Sequence, residues 1–156
     1  MSAIPLSPGA QLALHLSKSG LRAMNENGHQ KALFTWAALA KSTRPELVWL
    51  HSVPNGAHVS KIQAAMLVAE GLRSGVPDIF LDVARRGYHG LRLELKVPEI
   101  RNTKGSIEKR KGVLSQEQSH WLDHYNSSGY LALVAYGWLE AKDMIEEYLN
   151  YAAGNR

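Results

Sequence analysis

The stretch that most constrains this chain runs from Gly75 to Val97. Two alternating apolar runs, Ile79-Leu81-Val83 and Leu91-Leu93-Leu95-Val97, flank the turn-prone segment Arg85-Arg86-Gly87-Tyr88-His89-Gly90. Alternation with period two predicts half-buried strands, and the glycines supply the positive φ angles that a reversal needs. An antiparallel hairpin is therefore expected. Its parity assigns the chemistry. With the Leu, Val and Ile set on one face, Asp78 of the first strand and Glu94 and Lys96 of the second point to the other. A turn centred near Gly87 sets Asp78 across from Glu94 to Lys96.

Two carboxylates and a lysine on one side of a sheet suit one kind of chemistry. Paired carboxylates are natural ligands for Mg²⁺, which prefers hard oxygen donors and keeps several waters. A lysine beside the metal can orient or deprotonate a bound water, or neutralise charge developing at phosphorus. Glu-x-Lys at a strand end is equally an ordinary solvated face. For the hairpin alone, both readings stand.

Composition narrows the class. A chain of 156 residues is long enough for one domain with a substantial core. Its 45% apolar and 21% charged residues are globular values. No apolar run approaches the roughly 20 residues that span a bilayer, and Met1 to Pro8 lacks the basic-then-apolar pattern of a signal peptide. A cytoplasmic protein without membrane partners is expected. The absence of cysteine excludes disulfides, thiolate zinc sites and cysteine nucleophiles. A formal charge of +4 is compatible with a polyanionic partner, and Arg101, Lys104, Lys109, Arg110 and Lys111 crowd one segment.

In chain order, residues 9–24 predict a helix that Gly20 interrupts. Residues 25–41 predict a better one, capped by Asn25, with Leu33, Trp36, Ala37 and Ala40 on its apolar face. Glu26 projects on that buried side, or is simply a first-turn acid favoured by the helix dipole. Leu47 to Val53 reads as a buried strand, Pro54-Asn55-Gly56 as a turn, and 58–73 as an amphipathic helix using Ile62, Ala65, Met66 and Ala69. Residues 98–113 are expected to form a mobile basic loop. Ser115-x-x-Gln118 is a capping-box pattern opening a helix that buries Trp121, Leu122 and Tyr125. Tyr130 to Tyr136 is a strand, and Trp138 to Tyr151 a closing helix. The order predicts an α/β fold with a mixed sheet of about four strands covered by helices.

Taken together, the motifs are more specific than any one of them. Glu26-x-x-x-Gln30-x-x-Leu33-Phe34-x-Trp36, Pro54-Asn55-Gly56, Gly75-Val76-Pro77-Asp78, Gly90-Leu91-x-x-Glu94-x-Lys96 and Leu114-Ser115-x-x-Gln118-x-x-Trp121-Leu122 occur in this order, followed by Gly129-Tyr130 and Tyr136-Gly137-Trp138. The set resembles the VRR-NUC family (virus-type replication and repair nucleases) within the PD-(D/E)XK superfamily, over about residues 25–150. The single-domain form is similar to the stand-alone members carried by phages and prophages.

That resemblance implies a restriction-endonuclease-like mixed four-stranded sheet flanked by helices. It also implies a Mg²⁺- or Mn²⁺-dependent endodeoxyribonuclease. Asp78 and Glu94, with the Leu95 backbone carbonyl, would hold the cation; Glu26 would complete the acidic site and Lys96 would position the attacking water. Gln118 would pack beside the lysine, or serve as the capping-box partner of Ser115. The expected substrate is branched DNA, including four-way (Holliday) junctions, cut by a homodimer. The alternatives are a flap or general DNA nuclease, and a non-catalytic DNA-binding phage accessory protein.

Two segments depart from the family pattern. Residues 1–24 are an extension, expected to be helical and packed on a nuclease domain of residues 25–156. The segment after Lys96 is longer than expected; Lys104, Lys109, Arg110 and Lys111 either grip a DNA backbone or are simply solvated. A rival constellation, His51, His58, His89, His120 and His124, includes an i, i+4 pair on a helix. It lacks the glutamate after the first histidine that a metalloprotease needs.

Overall fold

A computed structural model describes residues 18–54 and 59–150. Residues 1–17, most of the Pro54-Asn55-Gly56 turn, His58 and the last residues of the chain lie outside the described part. The elements follow in order: α1 (Lys18–Ala23), α2 (Glu26–Ala40), a 3₁₀ turn (Pro45–Trp49), β1 (Leu50–Ser52), α3 (Lys61–Ala69), β2 (Ile79–Leu81), β3 (Leu91–Lys96), β4 (Ile100–Arg101), β5 (Ile107–Lys109), α4 (Gln116–Ser127), β6 (Leu131–Tyr136) and α5 (Trp138–Asn150).

β1, β2, β3 and β6 form one sheet in that spatial order. β2 is antiparallel to both β1 and β3, while β6 lies parallel to β3, so the sheet is mixed. The β2–β3 hairpin forms as its sequence demands. Ile79 faces Leu93 and Leu81 faces Leu91. Arg85-Arg86-Gly87-Tyr88 closes it, with φ of 54° at Arg86 and 83° at Gly87. Two positive φ angles at the central positions define a type I′ turn, whose twist matches that of the strands.

β3 is buried on both faces, not half-buried as alternation suggested. Leu91, Leu93 and Leu95 pack with Leu33, Trp36 and Ala37 of α2 and Ala141, Ile145 and Tyr148 of α5 in one core. Arg92, Glu94 and Lys96 point to the opposite face, where they too are buried. The crossover to β6 is what makes β3 central. A parallel partner needs a covering connection, and α4 supplies it.

Four local expectations are corrected. Pro45 opens a 3₁₀ turn with its pre-set φ, so the strand read from Leu47 is confined to Leu50–Ser52. The helix read over 58–73 is Lys61–Ala69 and buries none of its residues; Ile62, Ala65, Met66 and Ala69 are all exposed. Of the three side chains assigned to the buried face of α4, Leu122 is buried, and Trp121 and Tyr125 remain half-buried. The basic loop is not structureless: β4 and β5 pair within it as a short antiparallel hairpin.

Candidate active site

Asp78 stands one residue before β2, in the extended run that pairs its carbonyl with the Val53 N–H at 2.9 Å. Continuing the hairpin register from Ile79 opposite Leu93 brings Asp78 opposite Glu94. Its Oδ2 accepts the Leu95 N–H at 2.9 Å. The N–H and C=O of one strand residue project to the same side. The Leu95 carbonyl therefore lies along the strand edge that the Asp78 carboxylate occupies.

Glu94 is the deepest charged group, 1% exposed. Its Oε1 receives two donors, the Lys96 ammonium at 2.9 Å and the Gln118 side-chain amide. Its Oε2 is buried and has no hydrogen-bond partner. Burial first, and then the Asp78 charge, push the Glu94 carboxyl up to about 7, with Glu26 adding to the effect and Lys96 opposing it. Burial works to lower the Lys96 pKa, but its hydrogen bond to Glu94 and the charges of Glu94, Glu26 and Asp78 outweigh it and raise the pKa. Lys96 is therefore an ammonium at neutral pH, held 6% exposed.

Glu26 approaches from the first turn of α2, with its Oε1 at 3.5 Å from Lys96 Nζ and its side chain 48% exposed. The side chain of Asn25 caps that helix by accepting the Gly28 N–H at 2.9 Å. Glu26 faces the lysine rather than joining a compact acidic cluster. Among the described residues, no three His, Asp or Glu side chains form a metal-holding group by themselves.

Gln118 closes the capping box and also reaches Glu94. Its amide oxygen accepts the Ser115 N–H at 2.9 Å, and its own N–H donates to Ser115 Oγ at 3.2 Å, closing the capping box. The amide nitrogen is then left to reach Glu94. This geometry requires α4 to start hard against the segment before Asp78. A Cβ on Gly75 would lie 2.7 Å from the Glu117 backbone carbon, and φ there is +83°. Gly75→Ala is accordingly expected to destabilise the fold by at least about 1 kcal/mol in a thermal melt, from the positive φ alone. It should also loosen Gln118 from Glu94.

The basic segment resolves into two classes. Lys109 donates to the Met24 carbonyl at 3.1 Å, and the Lys111 ammonium sits 4.9 Å from the centre of the Tyr136 ring. Both are tied to the fold. The Lys104 and Arg110 side chains are exposed and carry no ion pair among the described residues. Replacing Lys104 and Arg110 by Ala should flatten the log–log salt dependence of duplex binding by roughly 0.9 for each phosphate no longer neutralised. A fluorescence-anisotropy salt titration measures that slope directly.

Sequence reasoning missed two buried groups. Arg92 extends over Phe80, 4.1 Å from its ring centre, and over Tyr130 at 4.4 Å, with an ion pair to Asp82 at 2.9 Å. Its parity with Glu94 was legible; its aromatic partners, brought from β2 and from beyond α4, were not. His29 is buried on α2, where Nδ1 accepts the Trp138 N–H at 3.3 Å. Among the described residues, the histidine constellation does not assemble. His51 lies 3.8 Å from Asp82, His89 meets Tyr130 edge to face, and His120 and His124 are exposed along α4.

The fold thus brings Asp78, Glu94 and Lys96 into one buried group, with half-buried Gln118 beside it and Glu26 at its rim. A mixed sheet with an acid before one strand and acid-x-lysine on the next, covered on both faces by helices, is the architecture of the PD-(D/E)XK nuclease class. A solved structure described as a VRR_NUC domain protein superposes with a TM-score of 0.63 at 26% identity, covering 83% of this chain and 91% of that one. The chain is similar to that VRR_NUC domain protein in fold, and its ordered motifs agree, which supports a VRR-NUC-type nuclease domain. No protein-family model matches the chain, and no curated protein matches it.

Proposed function

We propose that the protein is a divalent-metal-dependent endodeoxyribonuclease, acting on branched DNA such as four-way junctions. The observation that carries this is the Glu94 carboxylate. One oxygen is saturated by Lys96 and Gln118, while the other is buried without a partner beside a second acid. A buried unpaired carboxylate oxygen is destabilising, and a cation bound there would offset that penalty. The donor set fits Mg²⁺ or Mn²⁺: two carboxylates, a backbone carbonyl at Leu95, and remaining positions open to water. Glu26, turned toward the lysine, would act on Lys96 rather than on the metal.

When bound, such a cation would polarise the scissile phosphate and lower the pKa of an attacking water. The rest falls to the chain. Lys96, charged and nearly immobile, orients the water and offsets negative charge growing on the phosphoryl oxygens. Gln118 holds Glu94 so that its second oxygen stays aimed away from the lysine. Glu26 keeps the ammonium protonated and close. A protein that only binds DNA has no use for a desolvated acid pair facing a polyanion, which disfavours the non-catalytic alternative.

A homodimer suits a twofold junction, since each copy would present one site to one of two symmetric strands. The exposed Ile62, Met66 and Val68 of α3 leave apolar surface for a second copy. The phage-type setting belongs to the same proposal. The test incubates the protein with labelled junction, flap, duplex and single-stranded DNA, with and without Mg²⁺ or Mn²⁺. Paired symmetric cuts in the junction support it. Preferential flap cutting shifts the substrate, and no metal-dependent cut in any substrate overturns the reading.

A further inference from the structure

Beside the acid–lysine group, α4 carries a second feature that the chemistry above does not use. Its outer face borders an open cavity of about 360 Å³ lined by Ser74, Gln116, Glu117, His120 and Trp121. The indole N–H of Trp121 donates to the Ser74 carbonyl at 3.0 Å, which fixes the ring in place. Tyr125 supports it from behind at 5.8 Å between ring centres, tilted by 30°. His120 and Gln116 lie one helical turn apart on the exposed flank, and Glu117 lies one turn before Trp121.

We propose that this cavity is a nucleobase subsite, taking one unpaired base from the strand whose phosphate lies at Lys96. The location follows from the helix. Gln118, the immediate neighbour of Glu117, is the residue that touches Glu94, so a single first turn separates the cavity from the site. A carboxylate in the lining works against a phosphate there. Glu117 is ionised, its pKa held down by backbone and Ser115 hydrogen bonds at the helix start, and a carboxylate repels an anion. A planar, neutral ligand with N–H donors satisfies the same groups. The ring would stack on Trp121, its amino or imino hydrogens would reach Glu117, and Gln116 can either donate or accept. Exposed Arg73 adjoins Ser74 in the chain, so a cation lies next to the lining for the attached phosphate.

Such a subsite would make the enzyme prefer positions where a base is already unstacked. Branch points and single-stranded arms provide that without the cost of opening a duplex. This substrate preference rests on the nuclease reading; the base pocket itself does not.

The test uses the full chain in EDTA, where no cutting occurs. Fluorescence anisotropy compares a short single-stranded oligonucleotide with one of equal length and charge carrying abasic sites throughout. Phosphate contacts are the same in both, so any difference reports base contacts. The base-bearing strand is expected to bind more tightly by roughly five- to a hundredfold, the span of stacking one base on an aromatic side chain. Trp121→Leu should abolish that preference, while Trp121→Phe keeps part of it. If Trp121→Leu fails to fold by circular dichroism, the exposed pair His120→Ala and Glu117→Ala decides instead and should narrow the preference. Equal affinity of the parent for both strands, or no binding to either, overturns the proposal. So does a preference that survives in the folded Trp121→Leu or, where that variant does not fold, one that is undiminished in the double alanine variant. Equal affinity with cutting intact removes only the subsite. A base preference without any metal-dependent cutting removes only the nuclease reading.

Discussion

Lys96→Ala should still retard branched DNA in a gel yet cleave it at least a hundredfold more slowly than the parent. The estimate is the low end of the roughly 10²- to 10⁴-fold range for removing a positioned acid–base or electrostatic group. The proposed ligands, Asp78, Glu94 and the Leu95 carbonyl, all survive the change, so binding should fall only modestly. Lys96 lies 2.9 Å from Glu94 and 3.5 Å from Glu26. Its raised pKa makes it a fixed positive charge, so its contribution is electrostatic. Lys96→Arg tests this point: a fixed charge without the right shape should restore some rate, but not all of it. Parental rates in the alanine variant would return Lys96 to the role of a structural lysine.

The second large effect concerns the metal-free protein. Glu94 titrates at about 7 against an ordinary value of 4.5. A carboxyl whose folded pKa is raised gives stability that is fully present below pH 4.5 and is lost as the pH rises through about 7. The loss across that window is on the order of 3 kcal/mol at most. Without metal, melting temperature should therefore fall between about pH 4.5 and pH 7. Millimolar Mg²⁺ or Mn²⁺ should recover it, because a cation held by the proposed ligands would bind the folded state alone. Asp78→Asn keeps an oxygen for the Leu95 N–H but removes the charge that helps raise Glu94. This variant should melt higher than the parent at about pH 8 without metal and gain nothing when metal is added. A metal-dependent gain equal to the parent's would remove Asp78 from the ligand set.

Much of the site was legible because it depends on local parity. Asp78, Glu94 and Lys96 share a face through a period of two and a turn marked by Gly87, and neither needs knowledge of distant elements. Glu26 and Gln118 were reachable only through the ordered motifs, since nothing in local spacing says which strand a helix terminus will approach. The errors have physical causes. Alternation cannot distinguish a strand with one buried face from one covered on both by a later crossover, and β3 is the latter. Pro45 converted an apolar run into a 3₁₀ turn. The apolar stripe of α3 has the right spacing for burial, yet none of its residues is buried in this chain. The basic segment contains no turn signal stronger than Gly105, so the β4–β5 pairing was not anticipated.

The order in which these contacts can form follows from their sequence separation. Asp78 meets Leu95 across 17 residues, within one tight hairpin, whereas Glu26 reaches Lys96 across 70 and Gln118 reaches Glu94 across 24. Short-range closures lose little chain entropy and come early. A refolding chain would thus bring its two acids together before α2 arrives beside them. Lys96 sits two residues beyond Glu94 on the same strand, so the hairpin carries its own counter-charge from the moment it closes. The domain need not wait for a metal, or for its distant segments, to make its acidic pair tolerable.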